Sequence, residues 1–262
     1  MATSNALDCL PSARGLSPRR SWWRTLTGFP AVLVTAFITT LLIFANRGVG
    51  DPDIWWHMRN ADKLLHTGHF VRADAYSYTV SGVAWINHEW LGEIPFYFGW
   101  RCFGLQGLYL VMALALVAIF LLLYWLACLR SRDYKAAALS CGAAIPLAPV
   151  SFGPRTLLFG WIFLLIELLI LETIGRRSRL LWLLPPLFAV WVNTHGSWLI
   201  GFVLLLAFAA SECCEIHAGQ IDCARRSMAE LKRTVYAVLY TSGCHSLALM
   251  RNTMYPYARN IA

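Results

Sequence analysis

Six residues of this 262-residue chain combine reactive side chains with a setting in which they could do chemistry. Asp51 and Asp53 stand two apart in Gly50-Asp51-Pro52-Asp53, shortly after an apolar run. His88 and Glu89 close the polar segment that follows, Arg155 lies in Phe152-Gly153-Pro154-Arg155, and His195 lies in Asn193-Thr194-His195-Gly196. Carboxylates can accept a proton from a hydroxyl, a guanidinium can neutralise a phosphate through paired hydrogen bonds, and imidazoles can orient either partner. Each residue also has a plainer reading. Asp51 can N-cap a helix, with Pro52 in its first turn and Asp53 facing the helix dipole. An arginine at the end of an apolar run can snorkel, and a histidine in a tight turn can simply serve that turn's hydrogen bonds. The two readings of the aspartates are compatible, because a capping carboxylate is also a fixed one.

The elements that must position these residues are apolar. The composition is 58% apolar and 14% charged, against roughly 45–50% and 25% in ordinary soluble domains. Apolar runs alternate with short basic patches, which predicts an all-α integral membrane protein with about seven transmembrane helices. The spans drawn are Gly28–Ala45, Leu105–Leu129, Ala136–Phe152, Thr156–Ile174, Leu180–Val192, Ser197–Ala210 and, more weakly, Val235–Met250. The fifth and sixth are short and flank Asn193 to Gly196, so a re-entrant hairpin is the alternative there. Residues 1–27 form a cytoplasmic tail before an uncleaved anchor, 28–210 the membrane domain, and 211–262 a cytoplasmic segment with the last span. With the N-terminus inside, 14 of the 22 Lys and Arg residues fall in inner segments, as cytoplasmic loops require. The chain is then a multi-pass protein of the inner (plasma) membrane. The net charge of +8 is explained by those loops, and no nucleic-acid partner is expected.

Residues 46–103 form a large outer loop carrying amphipathic helices. Ile54, Trp55, Met58, Ala61, Leu64 and Leu65 recur at helical spacing up to Gly68. Tyr76 to Val80 and Val83 to Ile86, around Ser81-Gly82, predict a small hairpin, and Asn87 can cap a helix beginning at His88. The loop's tryptophans could stack on sugar rings or mark a membrane interface. Glu167, alone within the fourth span, should face the bundle and find a partner or be protonated. Cys213, Cys214, Cys223 and His217 lack the paired spacing of a zinc site, and no structural disulfide and no metal site are expected.

The run Asp51-Pro52-Asp53-Ile54-Trp55-Trp56-His57, with Asp74-Ala75-Tyr76-Ser77-Tyr78-Thr79, Gly82, Trp85 and His88-Glu89-Trp90-Leu91, resembles a family of uncharacterised bacterial multi-span proteins. Pro154-Arg155 and Trp191-Val192-Asn193-Thr194-His195-Gly196 are similar to that family's later motifs. The family in turn resembles the GT-C glycosyltransferases, which include protein mannosyltransferases and aminoarabinose transferases. The likeness covers about Gly28 to Ala210. Relatives usually carry further spans, so the resemblance implies a shortened copy whose activity alone is open, with a non-catalytic membrane subunit as the alternative. It implies a transferase using a polyprenyl-phosphate-linked sugar at the outer face. Asp51 and Asp53 would then be the catalytic carboxylates, able in some branches to hold a divalent metal, and His88, Glu89, Arg155 and His195 would bind substrate. One labelling experiment checks the underlying topology: single cysteines at positions 53 and 195 should react with a membrane-impermeant thiol reagent from the same side, and reaction from opposite sides would end this reading.

Overall fold

The computed structural model describes residues 28–45, 50–145, 153–173, 178–217, 231 and 233–240. Among these the chain is all-α, its helices being α1 (Phe29–Ala45), α2 (Asp53–Thr67), α3 (Trp90–Phe103), α4 (Leu105–Ser131), α5 (Tyr134–Ala144), α6 (Leu157–Thr173), α7 (Leu184–Trp191) and α8 (Trp198–His217). A 3-10 turn, Ser178–Leu183, leads into α7, and residues 233–240 are helical as well.

The apolar runs become helices close to where the sequence draws them, with instructive differences. The run at 180–210 is broken at Asn193 to Ser197, giving a short α7 and a 20-residue α8 that extends past the drawn span. Trp191 anchors the reversal: its indole Nε1 donates to Ser197 Oγ at 3.0 Å. The predicted hairpin pairs in a different register. Asp74 N–H donates to the Val83 carbonyl (2.8 Å) and Trp85 N–H to the Arg72 carbonyl (2.9 Å), around one antiparallel bridge, Ala73 to Ala84. Tyr76 to Val80 therefore form the loop rather than a strand, because the Asp74 carboxylate accepts the backbone N–H groups of Tyr76 and Ser77 at 2.8 and 2.9 Å and turns the chain there.

Among the described residues only α4, at 27 residues, is long and apolar enough to cross a bilayer. At 17 residues, α1 and α6 reach about 26 Å at about 1.5 Å per residue, just under the roughly 30 Å hydrocarbon thickness. The third drawn span lies in a helix as far as Ala144, and its residues 146–152 lie outside the described residues. The last span is described only in part, and Cys213, Cys214, His217 and Cys223 lie outside the described side chains.

Two apolar clusters hold the bundle. Ile54, Met58, Phe96, Leu108, Met112 and Leu158 join α2, α3, α4 and α6, while Ile170, Leu184, Phe188, Trp191 and Leu205 join α6, α7 and α8. The first cluster depends on the α3–α4 turn, where Gly99 packs directly on Gly107. A Cβ built on Gly99 would lie 2.7 Å from the Gly107 carbonyl oxygen, and one built on Gly107 would overlap the Gly99 carbonyl. That contact is backbone against backbone, so no rotamer change can relieve it. Gly107→Val should destabilise the protein by about 1–3 kcal/mol through overpacking, read as a lowered thermal midpoint, with Gly142→Val as the contrast because nothing lies within 4 Å of a Cβ there.

Candidate functional site

The six candidate residues line one cavity of about 440 Å³ together with Trp56, His57, Trp85, Asn87 and Thr156. They come from four separate parts of the chain. The start of α2 supplies Asp51 and Asp53, the segment before α3 supplies His88 and Glu89, the start of α6 supplies Arg155, and the α7–α8 turn supplies His195.

Local sequence explains each placement. Asp51 Oδ1 accepts the Asp53 N–H at 3.1 Å, closing a turn just ahead of α2, whose N-cap position falls on Pro52 and not on Asp51 as the sequence suggests, and its Oδ2 pairs with Arg155 Nε. The turn and the ion pair thus occupy Asp51 on both oxygens, while the terminal nitrogens of Arg155 have no ion-pair partner among the described residues. The Asp53 side chain has no hydrogen-bond or ion-pair partner among the described residues and is exposed. The helix expected from His88 starts two residues later, at Trp90. Asn87 does accept the Glu89 N–H at 3.2 Å, but its amide is drawn away to Glu93, so it braces the turn before the helix instead of capping the first turn.

The α7–α8 turn docks on the beginning of α3. Leu91 N–H donates to the Asn193 carbonyl at 3.1 Å, and Trp90 Nε1 donates to Asn193 Oδ1 at 2.9 Å. Gly92 is required for this approach, since a Cβ there would lie 2.7 Å from the Thr194 carbonyl oxygen. Docking carries His195 to the cavity, where its Nδ1 accepts the Ser197 N–H at 3.0 Å. The imidazole is thereby committed to a proton on Nε2.

Glu89 is the electrostatic centre. Thr156 Oγ1 donates to its Oε2 at 2.7 Å, and the Nε2 atoms of His88, His57 and His195 lie 3.5, 3.7 and 3.7 Å from its oxygens. Burial by itself would raise this carboxyl, but hydrogen bonds from His88 and Thr156 and the charge of His195 and His57 prevail and hold it at about 2. His88 is pushed up, chiefly by its hydrogen bond to Glu89, and His195 is pushed down by burial. The cavity accordingly has a permanent anion on one wall and the Arg155 cation on another.

Sequence spacing did not single out four of the polar residues: His57, Asn60, Glu93 and Thr156. The one available signal was helical register, because Glu93 follows Glu89, and His57 follows Asp53, by a single turn. Glu167 does face the interior, at 0% exposure, yet neither of its oxygens has a hydrogen-bond partner. It packs against α8, where a Cβ on Gly201 would lie 2.6 Å from Glu167 Oε2. The expected partner is absent among the described residues. No group of three His, Cys, Asp or Glu side chains there is arranged to hold a metal ion.

In comparisons with known proteins, the chain matches no family model, no curated protein and no solved structure.

The Glu89 cluster sets a pH window for stability. Glu89 is held below its ordinary 4.5, so its contribution is complete above about that pH and is lost as pH falls toward about 2. His88 is held above its ordinary 6.5, so its contribution is complete below that pH and is lost as pH rises through the raised value. The contributions of Glu89 and His88 are therefore both complete between about pH 4.5 and 6.5, whereas that of His195, held below its ordinary value, is complete above about 6.5 and declines as pH falls below it. In the thermal midpoint followed against pH, Glu89→Gln should flatten the Glu89 and His88 limbs, and unchanged limbs in that variant would refute the assignment.

Proposed function

We propose that this chain is a multi-pass membrane protein whose cavity binds a polyprenyl-phosphate-linked sugar and transfers the sugar to a hydroxyl acceptor, the chemistry of GT-C enzymes. The observation that carries this reading is the convergence of Asp51, Asp53, His88, Glu89, Arg155 and His195 on one polar cavity at the helix ends.

The membrane setting has its own support. Only 22% of the apolar window in α4 is buried within the structure, and large apolar side chains are exposed on α1, α4 and α8, Val32, Leu114 and Val203 among them. A water-soluble bundle would leave that area unfavourably hydrated, whereas lipid tails cover it. The two ends of the bundle also differ in character. Thr156 and Leu157, at the start of α6, line the cavity. Near the other end of α6, Glu172 pairs with Arg130 of α4 at 3.2 Å, beside Arg132 and Lys135. Acidic cavity and basic patch thus face opposite ends, in keeping with a seven-span drawing that puts the cavity outside and the N-terminus in the cytoplasm of an inner-membrane protein.

Roles follow from the contacts. Asp51 orients Arg155, whose terminal nitrogens, without an ion-pair partner among the described residues, suit a phosphate. Asp53, with no side-chain partner, holds or deprotonates the attacking hydroxyl. His195 offers a fixed Nε2–H donor, and Trp56 and Trp85, at 4.9 Å between centroids, present ring faces and edges for a sugar. The second reading, a non-catalytic subunit, is favoured by the double engagement of Asp51 in a turn and an ion pair, both of which serve the fold.

The test uses the full chain in nanodiscs with radiolabelled polyprenyl-phosphate hexoses, scored by release of polyprenyl phosphate. Turnover should fall at least about tenfold in Asp53→Asn, and Arg155→Lys should raise the donor KM, with unfolding midpoints little changed. If no hexose donor is turned over, or if the variants change stability while leaving turnover and donor KM intact, the non-catalytic reading replaces this one.

A further inference from the structure

Glu93 lies one helical turn beyond Glu89 on α3 and is wholly buried, at 0% exposure. Three nitrogens surround its carboxyl. Asn60 Nδ2 donates to Oε1 at 3.3 Å, Asn87 Nδ2 donates to Oε2 at 2.8 Å, and His57 Nδ1 lies 3.0 Å from Oε1. Amide nitrogens only donate, so both oxygens act as acceptors and His57 Nδ1 is the donor. A neutral imidazole with its proton on Nδ1 presents a lone pair on Nε2.

The position of that lone pair is the informative feature. His57 is buried, at 6% exposure, yet it lines the cavity, and its Nε2 lies 3.7 Å from Glu89 Oε2, beyond hydrogen-bond reach. The ring packs against Trp56, with centroids 3.5 Å apart and the planes tilted by 35°. A buried carboxylate that fixes the tautomer of an imidazole whose other nitrogen looks into a cavity is the arrangement by which enzymes make histidine a proton acceptor.

We propose that Glu93 and His57 form an acid–base dyad, and that His57 Nε2, rather than the Asp53 carboxylate, takes the proton from the hydroxyl acceptor. The inference rests on the transferase reading above. The acceptor O–H bond breaks and its proton passes to His57 Nε2. The oxygen's electron pair forms the new bond to the sugar's anomeric carbon, and the bond from that carbon to the phosphate oxygen breaks with its electron pair leaving on the phosphate. Glu89, a fixed anion beside Nε2, stabilises the imidazolium that results. Asp53 binds the acceptor's other hydroxyls, and Glu93 is a positioning residue acting through His57.

Two readouts on the full chain in nanodiscs test this, and they separate its failure from that of the transferase reading. The first is nitrogen NMR of the protein labelled with 15N-histidine at pH 8, above the ordinary histidine value of about 6.5, with His57 assigned by its loss in His57→Gln. Wild-type His57 should be protonated on Nδ1 and bare on Nε2, and Glu93→Gln should shift the tautomer ratio about tenfold toward Nε2–H. A proton on wild-type Nε2 overturns the dyad whether or not a donor is ever turned over, and it needs no variant to fold. The second readout is release of polyprenyl phosphate. His57→Gln should lower kcat at least a hundredfold with the donor KM little changed, and Glu93→Gln should lower kcat in proportion to the tautomer it loses. Wild-type kcat in His57→Gln, with loss only in Asp53→Asn, overturns the proposal while leaving the transferase reading standing.

Discussion

Two carboxylates one turn apart, Glu89 just before α3 and Glu93 on it, impose the constraint around which this end of the molecule is organised. A buried carboxylate without hydrogen-bond donors loses several kcal/mol of hydration, so Glu89 and Glu93 can be buried only if donors arrive from elsewhere. They arrive from everywhere nearby. Asn60 and His57 of α2 and Asn87 of the preceding loop converge on Glu93, while Thr156, just before α6, donates to Glu89. His195, in the α7–α8 turn, is held beside it. Apolar packing of Ile54, Phe96, Leu108 and Leu158 brings the same helices together without direction. The polar bonds fix their rotation and register.

Glu167 offers the contrast within the same chain. It is as deeply buried as Glu93, but the apolar side chains and Gly201 around it bring no donor among the described residues. One burial draws donors from α2 and from the loop before α3, and the other draws none among the described residues. A carboxyl group burdens a helix unless something uses it, so the difference separates an organising role for Glu93 from none visible for Glu167.

Much of the fold was legible because a bilayer-like apolar pattern survives without tertiary knowledge. The bounds of α1, α4 and α6 follow hydrophobic runs, and α2 follows its 3.6-residue period up to Gly68. The hairpin register was not legible, since the Asp74 side chain captures two backbone N–H groups that a strand would need. Nor was the beginning of α3, where Asn87 divides its amide between a backbone brace and Glu93. For the site, Asp51, Asp53, His88, Glu89, Arg155 and His195 were visible as polar exceptions in or beside apolar segments. His57 and Glu93 were hidden by their own regularity, each occupying an ordinary position in an amphipathic helix. Only the distance between them, 3.0 Å across 36 residues, distinguishes them from surface charge, and no spacing rule encodes it.

The location of the cavity follows from the same electrostatics. A carboxylate, an arginine and three imidazoles placed halfway along an apolar bundle would need mutual compensation for every charge, at a cost that grows as the surroundings become drier. At the ends of α2, α3 and α6 that demand is smaller, because free backbone N–H groups and partial solvent supply part of it. Asp51 shows the economy of the position, using one oxygen for the Asp53 N–H of α2 and the other for Arg155 beside α6. The proposed apolar-tailed, phosphate-headed donor would meet the same requirement in reverse, its charge staying at the helix ends and its tail among the exposed apolar faces. Protein and ligand would then be sorted by one boundary, and the chemistry would sit at that boundary because neither partner's charges are stable far from it.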